Sequence, residues 1–249
     1  MSDTQIIPIF NQSAPGIWDD FLRIRAAAME FNYNCAPTSA DLTRALAEYR
    51  DEFGRRVYNF AFAAYDGGEM VGFVRGNGVR NTAEIKCLYV LPSHQGHHIG
   101  HRLLQAAERS IAPAYKNIEL ISLGHAEKFY QRHKYTSIYG ANTYTKKPST
   151  PNCFDVPLFG FPARIARMCT PLARGLDLST LIAPGAPLFA HFNADGNIEG
   201  ILLGTNNSVN PMLLETQDRH PNNWARTSLT RAFKTYHANL AQLLESRTK

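Results

Sequence analysis

One stretch of this chain constrains its fold more than any other: EIKCLYVLPSHQGHHIGHRLLQAAER, from Glu84 to Arg109. Alternating Ile85, Cys87, Tyr89 and Leu91 predict a strand that Pro92 ends, and the spacing of Ile99, Leu103, Leu104, Ala107 and Ile111 predicts a helix. The polar loop between them opens that helix. Its first N–H groups have no intrahelical partner and lie at the positive end of the helix dipole, so the junction suits a phosphate-bearing ligand, a pyrophosphate above all. A second unit extends from Asn117 to Tyr135: a strand through Ile118 and Leu120, then a short helix turning Ala126, Phe129 and Tyr130 inward. Two strands joined through a helix predict a parallel pair closed by a crossover.

The N-terminal part supplies the rest of a sheet. Gln5 to Phe10 reads as a strand, Ile17 to Glu30 and Ser39 to Phe53 as helices, and Asp66-Gly67-Gly68 as the turn of a hairpin. Phe60, Phe62 and Ala64 alternate before that turn, and Met70, Val71 and Phe73 come after it. The second helix carries Leu42, Leu46, Tyr49 and Phe53 at helical spacing behind a Thr/Ser start that can cap it. Residues 1 to about 146 thus read β-α-α-β-β-β-α-β-α-β, a mixed α/β domain.

These motifs resemble those of the GNAT superfamily of acyl-CoA-dependent N-acyltransferases. Gln95-Gly96-His97-His98-Ile99-Gly100 is similar to the family's motif A loop, Gln/Arg-x-x-Gly-x-Gly/Ala, except that His98 replaces the central glycine. The run from Ala126 through Phe129 and Tyr130 is similar to motif B, with Lys134-Tyr135 where Gly-Phe is usual and Leu123 where many members place a coenzyme-contacting asparagine. The two motifs arrive in the family's order, about 35 residues apart. The resemblance implies a GNAT-like acyl-CoA N-acyltransferase fold over residues 1 to about 146, with acetyl-CoA as co-substrate. It further implies coenzyme contacts from Leu88, Tyr89 and Val90, where the family's strand splays and pairs with pantetheine, and from the loop residues Gln95, Gly96, His97, His98, Ile99, Gly100 and His101. Backbone N–H groups near Tyr89 and Val90 would meet the oxyanion.

Acyl transfer from a thioester to an amine needs a neutral amine, help for the oxyanion and a proton for the departing thiolate. Tyr130 stands at the motif B tyrosine and is the candidate proton donor; Glu84, in the context Ala83-Glu84-Ile85, is the candidate base, with deprotonation through ordered water as the alternative. Glu30 and Tyr33, with Phe31 beside them, are candidates to hold a cationic acceptor, small molecule or peptide. Cys87 lies on the predicted strand, where burial is expected rather than reactivity. The expected activity is N-acetyl transfer by direct attack in a ternary complex. Two alternatives stand beside it: a catalytically silent GNAT-like module that binds acyl-CoA or a protein, and a metal protein built on His94, His97, His98 and His101, although no carboxylate-rich motif accompanies these histidines.

Lys146 to Asn152, KKPSTPN, reads as a linker, with residues 147–152 separating a domain at 1–146 from a smaller α+β unit at 153–249. Six prolines lie between Pro151 and Pro187. Leu188 to Gly204 then reads as a hairpin that echoes the first one, aligning Phe189-Ala190 with Phe62-Ala63 and Gly200 with Gly72, either as a partial second GNAT-like sheet or through the shared vocabulary of hairpins. No second phosphate loop accompanies it, so an architectural or acceptor-selecting role is expected. A closing helix from about Trp224 to Arg247, apolar at Leu229, Phe233, Tyr236, Leu240 and Leu244, is expected to pack on the domain or on a second subunit, as in a homodimer.

The composition narrows the partners. A net charge of +5 is small for this length and no Lys/Arg block is present, so nucleic acid is not expected. Four scattered cysteines without C-x-x-C spacing point to neither zinc nor disulfides, and fit a reducing cytoplasm. The N-terminus has no signal-peptide pattern and no run is long enough to span a bilayer, so neither secretion nor a membrane partner is expected.

Overall fold

In the computed structural model, residues 4–9, 16–54, 58–138, 142–149, 155–158, 187–193, 195, 197–203, 212–215 and 223–246 are described. Seven strands form one mixed sheet: β1 (Gln5–Pro8), β2 (Tyr58–Asp66), β3 (Glu69–Val79), β4 (Thr82–Val90), β5 (Asn117–Ile121), β6 (Thr136–Ile138) and β7 (Thr143–Lys146). Their spatial order is β1-β2-β3-β4-β5-β7-β6, and β4 with β5 is the one parallel pair. The helices are α1 (Ile17–Tyr33), α2 (Ser39–Gly54), α3 (Ile99–Ile111) and α4 (Glu127–Arg132). The expected element order holds up to its last strand, which is two strands. β7 inserts between β5 and β6, and the three residues of β6 are too few for a period-2 pattern to register.

The two faces of the sheet are covered by different helices. Helix α1 buries Ile17, Phe21, Ile24 and Ala28, and the Phe21 ring meets the edge of Phe73 on β3 at 4.5 Å between centroids, with Phe73 stacked edge-on against Tyr89 of β4 at 5.5 Å. Helix α3 buries Ile99, Leu103, Leu104, Ala107 and Ile111 on the other face, the full apolar set read from sequence. Helix α1 runs past Glu30 to Tyr33 and stops where Asn34 turns left-handed at φ 49°. Helix α2 starts with a capping box: the Thr38 N–H and hydroxyl both donate to Asp41 Oδ2, and the Asp41 N–H donates to Thr38 Oγ1 at 3.2 Å. These bonds, the hydroxyl's first, hold the Asp41 carboxyl below its usual range. Phe10 and the side chains of Tyr49 and Phe53 lie outside the described residues.

Four further strands form a second, antiparallel sheet: β8 (Asp155–Pro157), β9 (Leu188–Phe192), β10 (Ile198–Leu203) and β11 (Met212–Glu215), in the order β11-β10-β9-β8. This repeats β4-β3-β2-β1, and the register repeats with it. Pro157 faces Phe189 as Pro8 faces Phe62, and Val156 faces Ala190 as Ile7 faces Ala63. Gly200 faces His191 as Gly72 faces Ala64, so the echo between the two hairpins extends through a strand on either side. Helix α5 (Asn223–Ser246) comes after β11 as α3 comes after β4, and buries Leu229, Phe233 and Tyr236. Each of these two helices reaches the other sheet's edge: α3 packs on β8, and α5 on β1. Residues 159–186, Gly204, Arg247 and the side chains of Trp224 and Leu244 are outside the described set.

Close approach of strands explains two of the glycines. A Cβ on Gly76 would lie 2.0 Å from the Glu84 carbonyl oxygen and 2.4 Å from the Phe60 ring, and one on Gly78 would lie 2.0 Å from the Tyr115 ring. Backbone cannot yield as a flexible side chain can. Gly76→Ala is therefore expected to destabilise by about 2–3 kcal/mol in urea unfolding, the upper part of the overpacking range. Ala at the open turn position Gly67 should cost less, since there only its φ of 58° matters.

Candidate active site

Strand β4 parts from β5 after Ile85. The two pair in parallel from Thr82–Asn117 to Ile85–Leu120 and no further, so Lys86 to Val90 carry backbone groups with no partner strand on that side. On its other side β4 remains paired with β3, but with a bulge: Gly76 faces Ile85 and Arg75 faces Cys87, leaving Lys86 as the extra residue. The alternation predicted through Ile85, Cys87 and Tyr89 is thus broken. Ile85 turns to the α3 face, while Cys87 and Tyr89 turn to the α1 face beside Arg75. A regular period-2 pattern cannot register one inserted residue, and the extra lysine gave no other signal.

The loop that leaves β4 crosses to the start of α3. A 3₁₀ turn at Pro92–His94 and the left-handed Gly96 (φ 81°) and His98 (φ 60°) carry it there. Gln95 Nε2 donates to the Val90 carbonyl at 3.2 Å and His97 Nδ1 to the Gln95 carbonyl at 3.0 Å, tying the loop to the strand end. The first helical bond runs from the Arg102 N–H to the His98 carbonyl at 3.0 Å. Among the described residues, no backbone carbonyl accepts from the N–H groups of Gly96 through His101. They form a cluster of donors at the positive end of a 13-residue helix. His98 takes the left-handed conformation that glycine takes most cheaply, and its side chain stays exposed rather than filling the loop. The missing glycine therefore costs conformational energy at this position.

Helix α4 closes the site from the β5 side. Its end is a Schellman motif: the Tyr135 N–H reaches the Tyr130 carbonyl at 3.1 Å and the Lys134 N–H the Gln131 carbonyl at 2.9 Å, with Lys134 left-handed at φ 66°. Lys134 therefore takes the left-handed conformation that glycine adopts most cheaply. Phe129 packs where Gly100 opens α3, at 3.7 Å from the position of a Cβ there. Tyr130 is 7% exposed, with Cys87 and Tyr89 as electrostatic neighbours. Burial first, and those neighbours second, push its phenol well above the usual tyrosine value, so it is a neutral O–H at physiological pH. The Cys87 thiol is also raised by burial, against the opposing pull of Arg75 and Arg25, which keeps it from being a thiolate nucleophile.

The remaining candidates are more dispersed. Glu84 lies on the same face as Cys87 and Tyr89, but its carboxylate is ion-paired with Lys86 Nζ at 2.5 Å and about two-fifths exposed. Glu30 and Tyr33 project into solvent at the end of α1, as does Phe31, and Leu123 is exposed beside α4. The four loop histidines part company. His94 approaches Asp66 at 3.6 Å, His97 bonds Gln95, and His101 Nδ1–H donates to His133 Nε2 at 2.6 Å while His133 Nδ1–H donates to the Phe129 carbonyl at 2.7 Å. Burial and the neighbouring His133 lower the pKa of His101. Among the described residues no three His, Cys, Asp or Glu groups converge on a metal position. Sequence reasoning missed Arg75, Arg25 and His133, whose neighbours are set by strand pairing and helix packing alone.

The site thus combines a mixed sheet whose one parallel pair splays, a helix-opening donor loop beside the splay, and a buried phenol at the fork. Residues 58–137 match the family model for the acetyltransferase (GNAT) domain. No curated protein matches the sequence. Among solved structures, the chain is similar to PaiA N-acetyltransferase from Thermoplasma acidophilum in complex with coenzyme A (15% identity, 58% of this chain and 99% of that one, TM-score 0.46). It is also similar to an acetyltransferase from Thermus thermophilus (18% identity, 59% and 99%, TM-score 0.45). A third is a GNAT family acetyltransferase from Brucella melitensis in complex with acetyl-CoA (16% identity, 61% and 93%, TM-score 0.44). No helix among the described residues is long and apolar enough to cross a membrane.

The strain at His98 is testable on its own. His98→Gly should stabilise the protein by about 1 kcal/mol, because glycine relieves most of the left-handed penalty while loosening the unfolded chain. A β-branched His98→Val should do the reverse, and thermal melts of the two variants would show shifts of opposite sign.

Proposed function

We propose that the protein is an N-acetyltransferase that moves the acetyl group of acetyl-CoA to an amine by direct attack in a ternary complex. The observation that carries this reading is the neutral, buried phenol of Tyr130 beside Cys87 and Tyr89, where β4 no longer pairs with β5. The residues present fit the co-substrate. The N–H groups of Gly96 to His101 suit its pyrophosphate, and the stretch Leu88 to Val90, beyond the last residue of β4 that pairs with β5, suits the amide-bearing pantetheine arm. As the amine lone pair attacks the thioester carbon, N–H groups of that stretch can donate to the developing oxyanion. When the C–S bond breaks, the electron pair goes to sulfur and the Tyr130 O–H supplies its proton.

The amine loses its proton to Glu84, directly or through water, once Lys86 yields its hold on the carboxylate. Cys87 takes no covalent part, since its buried thiol resists ionisation. Glu30 and Tyr33 serve acceptor entry from the end of α1. The unit from residue 153 onward serves architecture, covering the β1 edge with α5, and the coenzyme site belongs to residues 1–146.

Two measurements test this reading. Acetyl-CoA and CoA should raise the melting temperature of the full chain, whereas dephospho-pantetheine fragments lacking the pyrophosphate should not. Absence of any shift at millimolar coenzyme would reject both the enzyme and a silent acyl-CoA-binding module. Tyr130→Phe should lower kcat by about 100-fold, within the range for a lost proton donor, with coenzyme affinity nearly unchanged because the ring still packs. Since burial raises the Tyr130 pKa, kcat should not fall as pH passes the ordinary phenol value of about 10 while the fold persists.

A further inference from the structure

The repeated registers of the two sheets bring equivalent surfaces together. Between them lies a cavity of about 570 Å³ to which both halves contribute matching elements. Its floor is apolar: Pro8 and Phe62 from the first sheet meet Pro157 and Phe189 from the second, each proline facing its phenylalanine across a strand pair. One wall is α3, through Arg102, Gln105, Ala106 and Arg109. The opposite wall is α5, through Ala232, Thr235, Tyr236 and Asn239 at identical spacing. The cavity therefore sits on the approximate twofold relation between the halves, away from the fork of β4 and β5.

The chemistry of the walls is not symmetric. The α3 side presents two guanidinium groups seven residues apart on one helix face, while the equivalent α5 positions are alanine and asparagine. One carboxylate lines the cavity, that of Asp155, and it is satisfied within the protein: Ser228 Oγ–H donates to Oδ2 and His191 Nδ1–H donates to Oδ1 at 3.0 Å. That bond raises the His191 pKa, which further offsets the acid's charge. Tyr236, with its ring 6.0 Å from that of Phe189, adds an aromatic surface with a neutral hydroxyl. Apolar floor, aromatic flank and positive wall match one class of guest, and the volume falls within the range of about 300–1,000 Å³ common for small-molecule sites.

We infer that this cavity is a second binding site, separate from the acyl-transfer site, for a small organic carboxylate with an apolar or aromatic body. The body lies against Phe62 and Phe189, and the carboxylate accepts from Arg102 and Arg109, a geometry for charge-assisted hydrogen bonds. Neither arginine belongs to the coenzyme loop. The inference does not depend on which acyl group the enzyme transfers.

Ligand-observed NMR on the full chain tests it, with phenylacetate, benzoate and isovalerate as probes and phenethylamine as the charge-reversed control. At least one carboxylate should bind at millimolar concentration or below, and phenethylamine should bind far more weakly. The exposed pair Arg102→Ala/Arg109→Ala should weaken binding by about tenfold or more, as expected for lost hydrogen bonds to a charged group. Thr235→Trp, which fills the cavity from an exposed position, should remove binding while the acetyl-CoA melting shift stays intact. The inference fails if no carboxylate probe binds, if the amine binds equally well, or if binding survives both variants, since the guest would then sit elsewhere.

Discussion

Everything at the candidate site depends on β4 giving up its pairing with β5 at Ile85. Backbone N–H and C=O groups inside a protein need partners, so a strand that stops pairing in the middle of a sheet leaves a demand that a ligand can meet. The bulge at Lys86 and the parting of the strands fall within one residue of each other. The bulge turns Cys87 and Tyr89 toward α1, and the parting opens the space that Tyr130 enters from α4. Because β4 and β5 are parallel, the chain must cross over between them through α3, and the start of that helix necessarily lies at the end of β4. The donor loop and the parting of β4 from β5 thus lie at the same end of the parallel pair.

The departures of this chain from the GNAT motifs are absorbed by backbone rather than by rearrangement. His98 and Lys134 stand where glycine is usual, and both adopt positive φ. Each costs about 1–2 kcal/mol relative to a relaxed residue, an amount that helix packing around Leu103 and Tyr130 can offset. The His98 side chain is exposed.

The second sheet has a comparable logic. Its order and register repeat those of β1 to β4, yet the sequence between β11 and α5 contains no glycine loop of the motif A kind. An exposed edge strand is a hazard for unintended pairing, and the two edges β1 and β8 each lie under the helix of the opposite half as well as their own. The repeated unit thereby supplies cover, and the cavity between the halves is a consequence of two similar curved surfaces meeting.

Local signals were legible where periodicity persists over several residues. The boundaries of α3, the cap of α2 at Thr38 and the turn at Gly67-Gly68 could all be read from the chain, because each depends on neighbours within a few positions. So could the echo of Phe62-Ala63 in Phe189-Ala190, although only strand pairing extended it to Pro8 and Pro157. The bulge at Lys86, the separate strand β6 and the pairing of Glu84 with Lys86 escaped the sequence, since one inserted residue or a three-residue strand leaves no period to detect. The sequence by itself determined most of the strands and helices of the first sheet and where a polar, glycine-containing turn would open one of the helices. Only the tertiary structure decided that Tyr130 meets Cys87 and Tyr89, that Glu30 and Tyr33 face solvent, and that α3 and α5 enclose a cavity, because these depend on long-range packing that local pattern does not encode.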